Sequence, residues 1–178
     1  MSHSLRPPFG EKDHFQGEIK APLELLEYGD YQCPYCGRAY PIIKRVQSRL
    51  GKDLRFVFRN FPLTDAHPQA YTAALAAEAA GRQDAFWKMH DLLYEKQESM
   101  SGPHFFNGLA TSLGLDIAKF EADLHDAAIA KKVDDDFESG VRSGVNGTPG
   151  FFINGLRYDD DWDEESLIAN LQKHMARK

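Results

Sequence analysis

The chain is poor in cysteine. Only Cys33 and Cys36 occur among its 178 residues, and both lie in one tetrapeptide, Cys33-Pro34-Tyr35-Cys36. That scarcity excludes a disulfide-stapled scaffold. It also argues against zinc and against any other bound metal. A structural zinc site takes four ligands, yet there is no second cysteine pair, and the seven histidines show no His-x₃₋₅-His spacing. No apolar run reaches the roughly 20 residues of a membrane-spanning helix, so membrane insertion is not expected. No apolar leader core opens the chain. As given, this predicts a cytoplasmic protein, or a periplasmic or otherwise extracytoplasmic one if a leader has been removed. Positive charge is in deficit: the net charge of −6 argues against nucleic-acid binding. Repeats and low-complexity tracts are lacking too. The length suits a single domain with a real core, expected to act as a monomer.

What is present is a dithiol that can cycle to a disulfide. An apolar strand-like run, Leu23 to Tyr28, leads into the tetrapeptide, and a helical pattern leads out of it. A cysteine at the mouth of a helix has its thiolate stabilised by the helix dipole and by free backbone N–H groups. Pro34 suits the first helical turn, where its missing N–H costs nothing. Cys36 falls one turn on, on the same face. Two inert core thiols, or a structural disulfide, are the plainer readings. A ring this small removes little chain entropy and would be a weak staple.

Along the chain, residues 1–12 are polar and Pro-rich and read as a loose N-terminal arm. Residues 13–20 suit a short edge strand. Pro22 to Tyr28 reads as a buried strand, and Pro34 to about Leu50 as a helix with Pro41 inside it and Gly51 as its stop. Leu54 to Phe61 alternates as a strand facing a core does. Residues 66–144 turn helical, with stripes at Phe86, Met89 and Leu93, then at Ile117, Phe120 and Leu124 capped by Asp116, then at Ile129, Val133, Phe137 and Val141. Gly150 to Ile153 returns to strand. Asn154-Gly155 signals a hairpin, and a last helix runs from about Glu164 to Ala176. The order is β-α-β, a helical block, then β-β-α.

That order, with Cys-x-x-Cys opening the first helix, resembles the thioredoxin superfamily, and the helical block resembles its DsbA-like branch. The second motif carrying the resemblance is Gly147-Thr148-Pro149-Gly150-Phe151-Phe152-Ile153-Asn154-Gly155, which is similar to the family's cis-proline loop and following hairpin. Glu27, six positions before Cys33, matches the family's buried acidic residue, and Pro41 its helix-kinking proline. The resemblance implies an α/β thioredoxin fold over residues 13–176, with a helical insertion at about 66–144 between the β-α-β and β-β-α halves. It departs from the pattern in one place. The dipeptide between the cysteines is Pro-Tyr, as in glutaredoxins, where the strongly oxidising relatives have Pro-His.

The resemblance implies roles. Cys33 is the exposed nucleophile and Cys36 the more buried resolving thiol. A cis Pro149 lies beside the sulfurs, and Thr148 offers its backbone to an extended substrate. Glu27 is a candidate proton acceptor for Cys36, its pKa raised by desolvation, or else an ordinary strand residue. Tyr35 and Pro34, beside the nucleophile, are candidate substrate-binding residues. Tyr31, Phe151 and Phe152 extend an apolar rim or belong to the core. Asp30 and Arg38 would tune the Cys33 thiolate in opposite directions, or stand as solvated side chains. The implied activity is protein thiol–disulfide exchange with cysteine-containing polypeptides, reset by a partner redox protein or glutathione, without a cofactor. The alternatives are a glutathione-linked reductase or transferase on the same fold, and a non-catalytic redox-sensing module.

Overall fold

The computed structural model describes residues 3–176. They form two compact units. One draws on the chain up to Gly29, on Arg38–Arg59 and on the chain from Glu138 onward; the other draws on Asp30–Gly37 and Asn60–Phe137.

The first unit is built on a five-stranded sheet of order β1-β3-β2-β4-β5, with β1 at His14–Gly17, β2 at Leu23–Gly29, β3 at Leu54–Asn60, β4 at Gly150–Ile153 and β5 at Leu156–Tyr158. Helix α1 (Pro34–Leu50) links β2 to β3, and α7 (Glu164–Met175) follows β5 and packs on β2. The α1 bounds match those read from the sequence. Asn154 and Gly155 take φ of 47° and 79°. Two positive φ values are what a type I′ hairpin turn needs, and Asn-Gly accepts them at little cost. Asp163 caps α7 by accepting from the Ser166 N–H.

β3 departs from expectation. Every residue of it except Arg55 is buried, so the alternation read from its sequence does not mark one wet face. It is an interior strand between β1 and β2. A strand covered on both faces buries both side-chain sets, polar ones included. One of these is Arg59, whose guanidinium donates to Asp13 Oδ1 and Oδ2 at 2.7 and 2.9 Å and to Tyr28 Oη at 2.9 Å.

The same guanidinium corrects the reading of a loose arm. It donates to the carbonyls of Pro7 and Pro8 at 3.0 and 3.2 Å. Ser4 bridges Leu156, Leu5 N donates to Gly155 O at 2.8 Å, and the Leu5 side chain is buried. A polar, Pro-rich composition gave no sign of this. The partners of the segment lie far away in sequence.

The second unit is helical, with α2 (Ala70–Gly81), α3 (Phe86–Glu95), α4 (Pro103–Ser112), α5 (Ile117–Leu124) and most of α6 (Ala127–Arg142). α2 packs against α3, α4 and α5 through a nearly all-alanine surface that allows close approach. Asp116 caps α5 by accepting from Lys119 N at 3.0 Å. Helix α4 lay outside the stripes read from the sequence, although Pro103 stands at its first turn, where proline is favoured.

α6 also corrects its stripe. Val141 is 55% exposed, whereas Ile129 and Val133 are buried. Steps of four overshoot a 3.6-residue turn by about 40° each, so the row drifts off the buried face. Burial passes instead to Asp136 and Ser139. Asp136 Oδ2 accepts from Asn60 N and Nδ2 at 3.1 and 2.9 Å and from Lys132 Nζ at 2.7 Å, and Asn60 Nδ2 also donates to Glu78. Burial pushes the Asp136 carboxyl up, with Lys132 pulling against it and Glu78 adding to it.

Candidate functional site

In the sheet unit, β2 and β4 pair antiparallel, so Glu27 lies opposite Phe151 and Tyr28 opposite Gly150. Pro149 thus directly precedes the residue paired with Tyr28. The Thr148–Pro149 peptide bond is cis. Glu27 is buried, as are Phe151 and Phe152, which are therefore core residues and not a rim. Tyr28 Oη meets Ser139 Oγ at 2.7 Å, and its ring packs edge-on to Phe152.

In the helical unit, the loop from Asp30 leads into the Cys-x-x-Cys turn. The Cys33 carbonyl accepts from Gly37 N at 3.0 Å. That is the first intrahelical bond of α1, and it makes Cys33 the cap residue at the helix mouth. Both cysteines are thiols. Cys33 is only 3% exposed and Cys36 not at all. This corrects the expectation of an exposed Cys33, although the order of the two holds. The exposed residues of the motif are Pro34 and Tyr35, the latter 57% exposed.

Tyr31 is not a rim residue. It is buried, with its hydroxyl 2.9 Å from His90 Nδ1 and its ring against those of His90 and Tyr94.

Two residues organise this loop that the sequence did not single out for the task. The first is Asp30, which is 1% exposed and so not the solvated side chain it could have been. Its Oδ1 accepts from Gln32 N at 2.7 Å and from Cys33 N at 3.1 Å. Its Oδ2 accepts from Leu63 N at 2.9 Å and meets His67 Nδ1 at 2.8 Å. An aspartate that turns back on the N–H groups two and three residues on is an Asx turn, and the spacing Asp30-x-x-Cys33 was a legible sign of it. Arg38, by contrast, is exposed.

The second is Gln97, from the short 3₁₀ turn Gln97–Ser99 that follows α3. Its Nε2 donates to Tyr31 O at 2.9 Å and to Cys33 O at 2.8 Å. The amide can lie there because residue 37 is glycine: a Cβ on Gly37 would stand 2.3 Å from Gln97 Oε1. Nothing in the local sequence of Gln97 marks it. Gln32 Oε1 further ties the loop to Gln69 N at 2.7 Å. Among the described residues, no cluster of His, Cys, Asp and Glu is suited to a metal, and no helix is long and apolar enough to cross a membrane.

The strand order, the helix opened by two cysteines and the cis-proline turn before β4 together define a thioredoxin-fold protein. Residues 10–173 match the thioredoxin family (Thioredoxin_4), and the chain belongs to that family. Its fold is similar to that of oxidised BdbD from Bacillus subtilis, with a TM-score of 0.83 at 23% identity, covering 98% of this chain and 96% of that one. It is equally similar to alpha-DsbA1 from Wolbachia pipientis, with a TM-score of 0.83 at 18% identity, covering 98% of each chain. By sequence it is 41% identical over 170 residues to a protein of Mycolicibacterium vanbaalenii named Na(+)/H(+) antiporter NhaA 1. That match takes in 94% of this chain but 27% of the relative, so the chain spans about a quarter of the length of the curated relatives it matches.

Proposed function

We propose that this chain is a protein thiol–disulfide oxidoreductase that exchanges disulfides with cysteine-containing polypeptides through a mixed disulfide at Cys33. The observation that carries the reading is the place of Cys33: it caps the N-terminus of α1, with Cys36 buried one turn inside. An anion forming there meets the positive end of a 17-residue helix.

In the oxidising direction, a substrate thiolate attacks the Cys33 sulfur of the Cys33–Cys36 disulfide. A new S–S bond forms to Cys33, and Cys36 leaves as a thiolate that takes up a proton. A second substrate thiolate then attacks the substrate sulfur of that bond. Cys33 leaves, the substrate is oxidised to its disulfide, and the protein is reduced to the dithiol. In the reducing direction the same steps run backwards, and Cys36 must first lose its proton. Glu27 is the group we assign to that proton. Thr148 and Pro149 are assigned to the extended substrate chain, by strand addition beside β4. Exposed Pro34 and Tyr35 supply the surface next to the nucleophile. A partner redox protein or glutathione resets the pair.

The test is trapping. Cys36→Ser should hold a cysteine-containing peptide as a mixed disulfide on Cys33, and the intact protein should turn the peptide over many times in a glutathione buffer. Adducts at Cys36 in a Cys33→Ser protein, with none at Cys33 in the Cys36→Ser protein, would overturn the assignment.

A second reading is favoured by the relatives. In proteins named as antiporters, a segment 41% identical to this chain makes up about a quarter of the length. On that reading the dithiol is a redox-sensing module that acts on a membrane transporter. Single-round reaction with peptides, without multiple turnover, would favour it.

A further inference from the structure

The loop before the nucleophile places a buried carboxylate against the backbone N–H of the residue in which a thiolate has to form. The Asp30 side chain has no exposed surface. Four donors hold it: the N–H groups of Gln32, Cys33 and Leu63, and Nδ1 of His67. Because a carboxylate only accepts, the His67 proton sits on Nδ1. The Cys33 N–H is shared between Asp30 Oδ1 and the Asp30 carbonyl, each at 3.1 Å.

This changes the account of the helix mouth. Bare N–H groups and the helix dipole favour an anion at the first turn. Here the N–H groups of Gln32 and Cys33 already serve a carboxylate. The Cys33 sulfur lies three bonds from the backbone nitrogen that donates to Asp30 Oδ1 at 3.1 Å, and like charges held that near in a buried loop oppose each other. Burial removes most of the screening. Of the four donors to the Asp30 carboxylate named above, His67 is the one that comes from a titratable side chain. On the far side of the loop, Tyr31 faces His90 and Tyr94, and Gln97 is neutral. Arg38 is exposed.

We infer that Asp30, with His67 as its counter-group, is a positioning residue that restrains the thiolate at Cys33 and so sets how oxidising the Cys33–Cys36 pair is. The inference rests on reading Cys33 as the reactive thiol. A less stabilised thiolate means a less stabilised dithiol, hence a weaker oxidant. The site then lies nearer the reducing end of its class than a helix mouth alone implies, and the bond from His67 partly offsets that restraint.

The test uses the full chain, with Cys33 thiolate read by ultraviolet absorbance across pH and the dithiol–disulfide equilibrium read against glutathione. Asp30→Asn keeps an acceptor oxygen for the Cys33 N–H but removes the charge. It should lower the Cys33 titration midpoint and shift the glutathione equilibrium about three- to tenfold towards the dithiol. His67→Leu, at a side chain 20% exposed, should shift both in the opposite direction, by about threefold. A loop that had merely loosened would move both variants the same way. Shifts of one sign in the two variants, or none in either, overturn the inference. If Asp30→Asn does not fold, an unshifted or lowered midpoint in His67→Leu does the same. The titration needs no substrate. Loss of peptide turnover in the unsubstituted protein, with these shifts intact, would therefore sink the oxidoreductase reading and leave the role of Asp30 standing.

Discussion

Single side chains decide how the Cys33 turn is held. Gln97 and Gly37 form a pair: the amide donates to two loop carbonyls and occupies the space a Cβ on Gly37 would take. The obstruction is the far end of a flexible side chain, so Gly37→Ala should displace Gln97 and forfeit its bonds instead of distorting the backbone. Gly37→Ala and Gln97→Ala should therefore each cost about 1–2 kcal/mol. The double variant should cost little more than either alone, giving a coupling of about 1 kcal/mol in a double-mutant cycle by urea unfolding. Strict additivity would show that the two residues act apart. Of this turn, the cysteines and Pro34 were legible in sequence because chemistry and helix position mark them. Asp30 was half legible, since its spacing predicts an Asx turn but not its burial. Gln97 was invisible, because a glutamine more than sixty residues from Cys33 becomes relevant only when the chain folds back.

Among the elements, α6 shows most clearly what a pattern of apolar residues misses. Its buried face takes in Asp136, which sits with Glu78, Lys132 and Asn60. Burial raises the Asp136 carboxyl above its ordinary value. A group whose pKa is higher folded than unfolded favours the fold while it is protonated in both states, and loses that advantage as pH rises through the folded value. The ionised carboxylate is thus a burden on the helix above the usual carboxylate range. Asp136→Asn keeps an acceptor for Asn60 and removes the burden. Its melting temperature should match wild type near about pH 4 and exceed it by a margin that widens towards about pH 8. A margin that narrows with rising pH would mean that the bond from Lys132 outweighs the burial. The cap at Asp116, the bounds of α1 and the Asn154-Gly155 turn needed no tertiary information, because each is settled by residues within one or two turns.

For the whole molecule, the measurable outcome is redox poise. On the function proposed above, the helix mouth favours the thiolate, which makes the disulfide oxidising. The Pro-Tyr dipeptide supplies no imidazole, and Asp30 opposes the thiolate. The balance predicts a reduction potential between about −120 and −230 mV, measured against glutathione. A value near the −270 mV of thioredoxin would mark a dedicated reductase and reject the intermediate poise. The sequence by itself determined the order of elements, the dithiol, the helix that carries it and the proline loop before β4. All of these are local: periodicity, turn chemistry and spacing act over a few residues. Only the tertiary structure decided which polar groups are buried. Residues 4–8 are secured by Arg59 and β5, β3 is covered on both faces, Tyr31 joins a ring cluster, and Asp30 is enclosed beside Cys33. Each depends on partners brought together across long stretches of chain, where burial removes water as the competing hydrogen-bond partner and makes the choice of protein partner decisive.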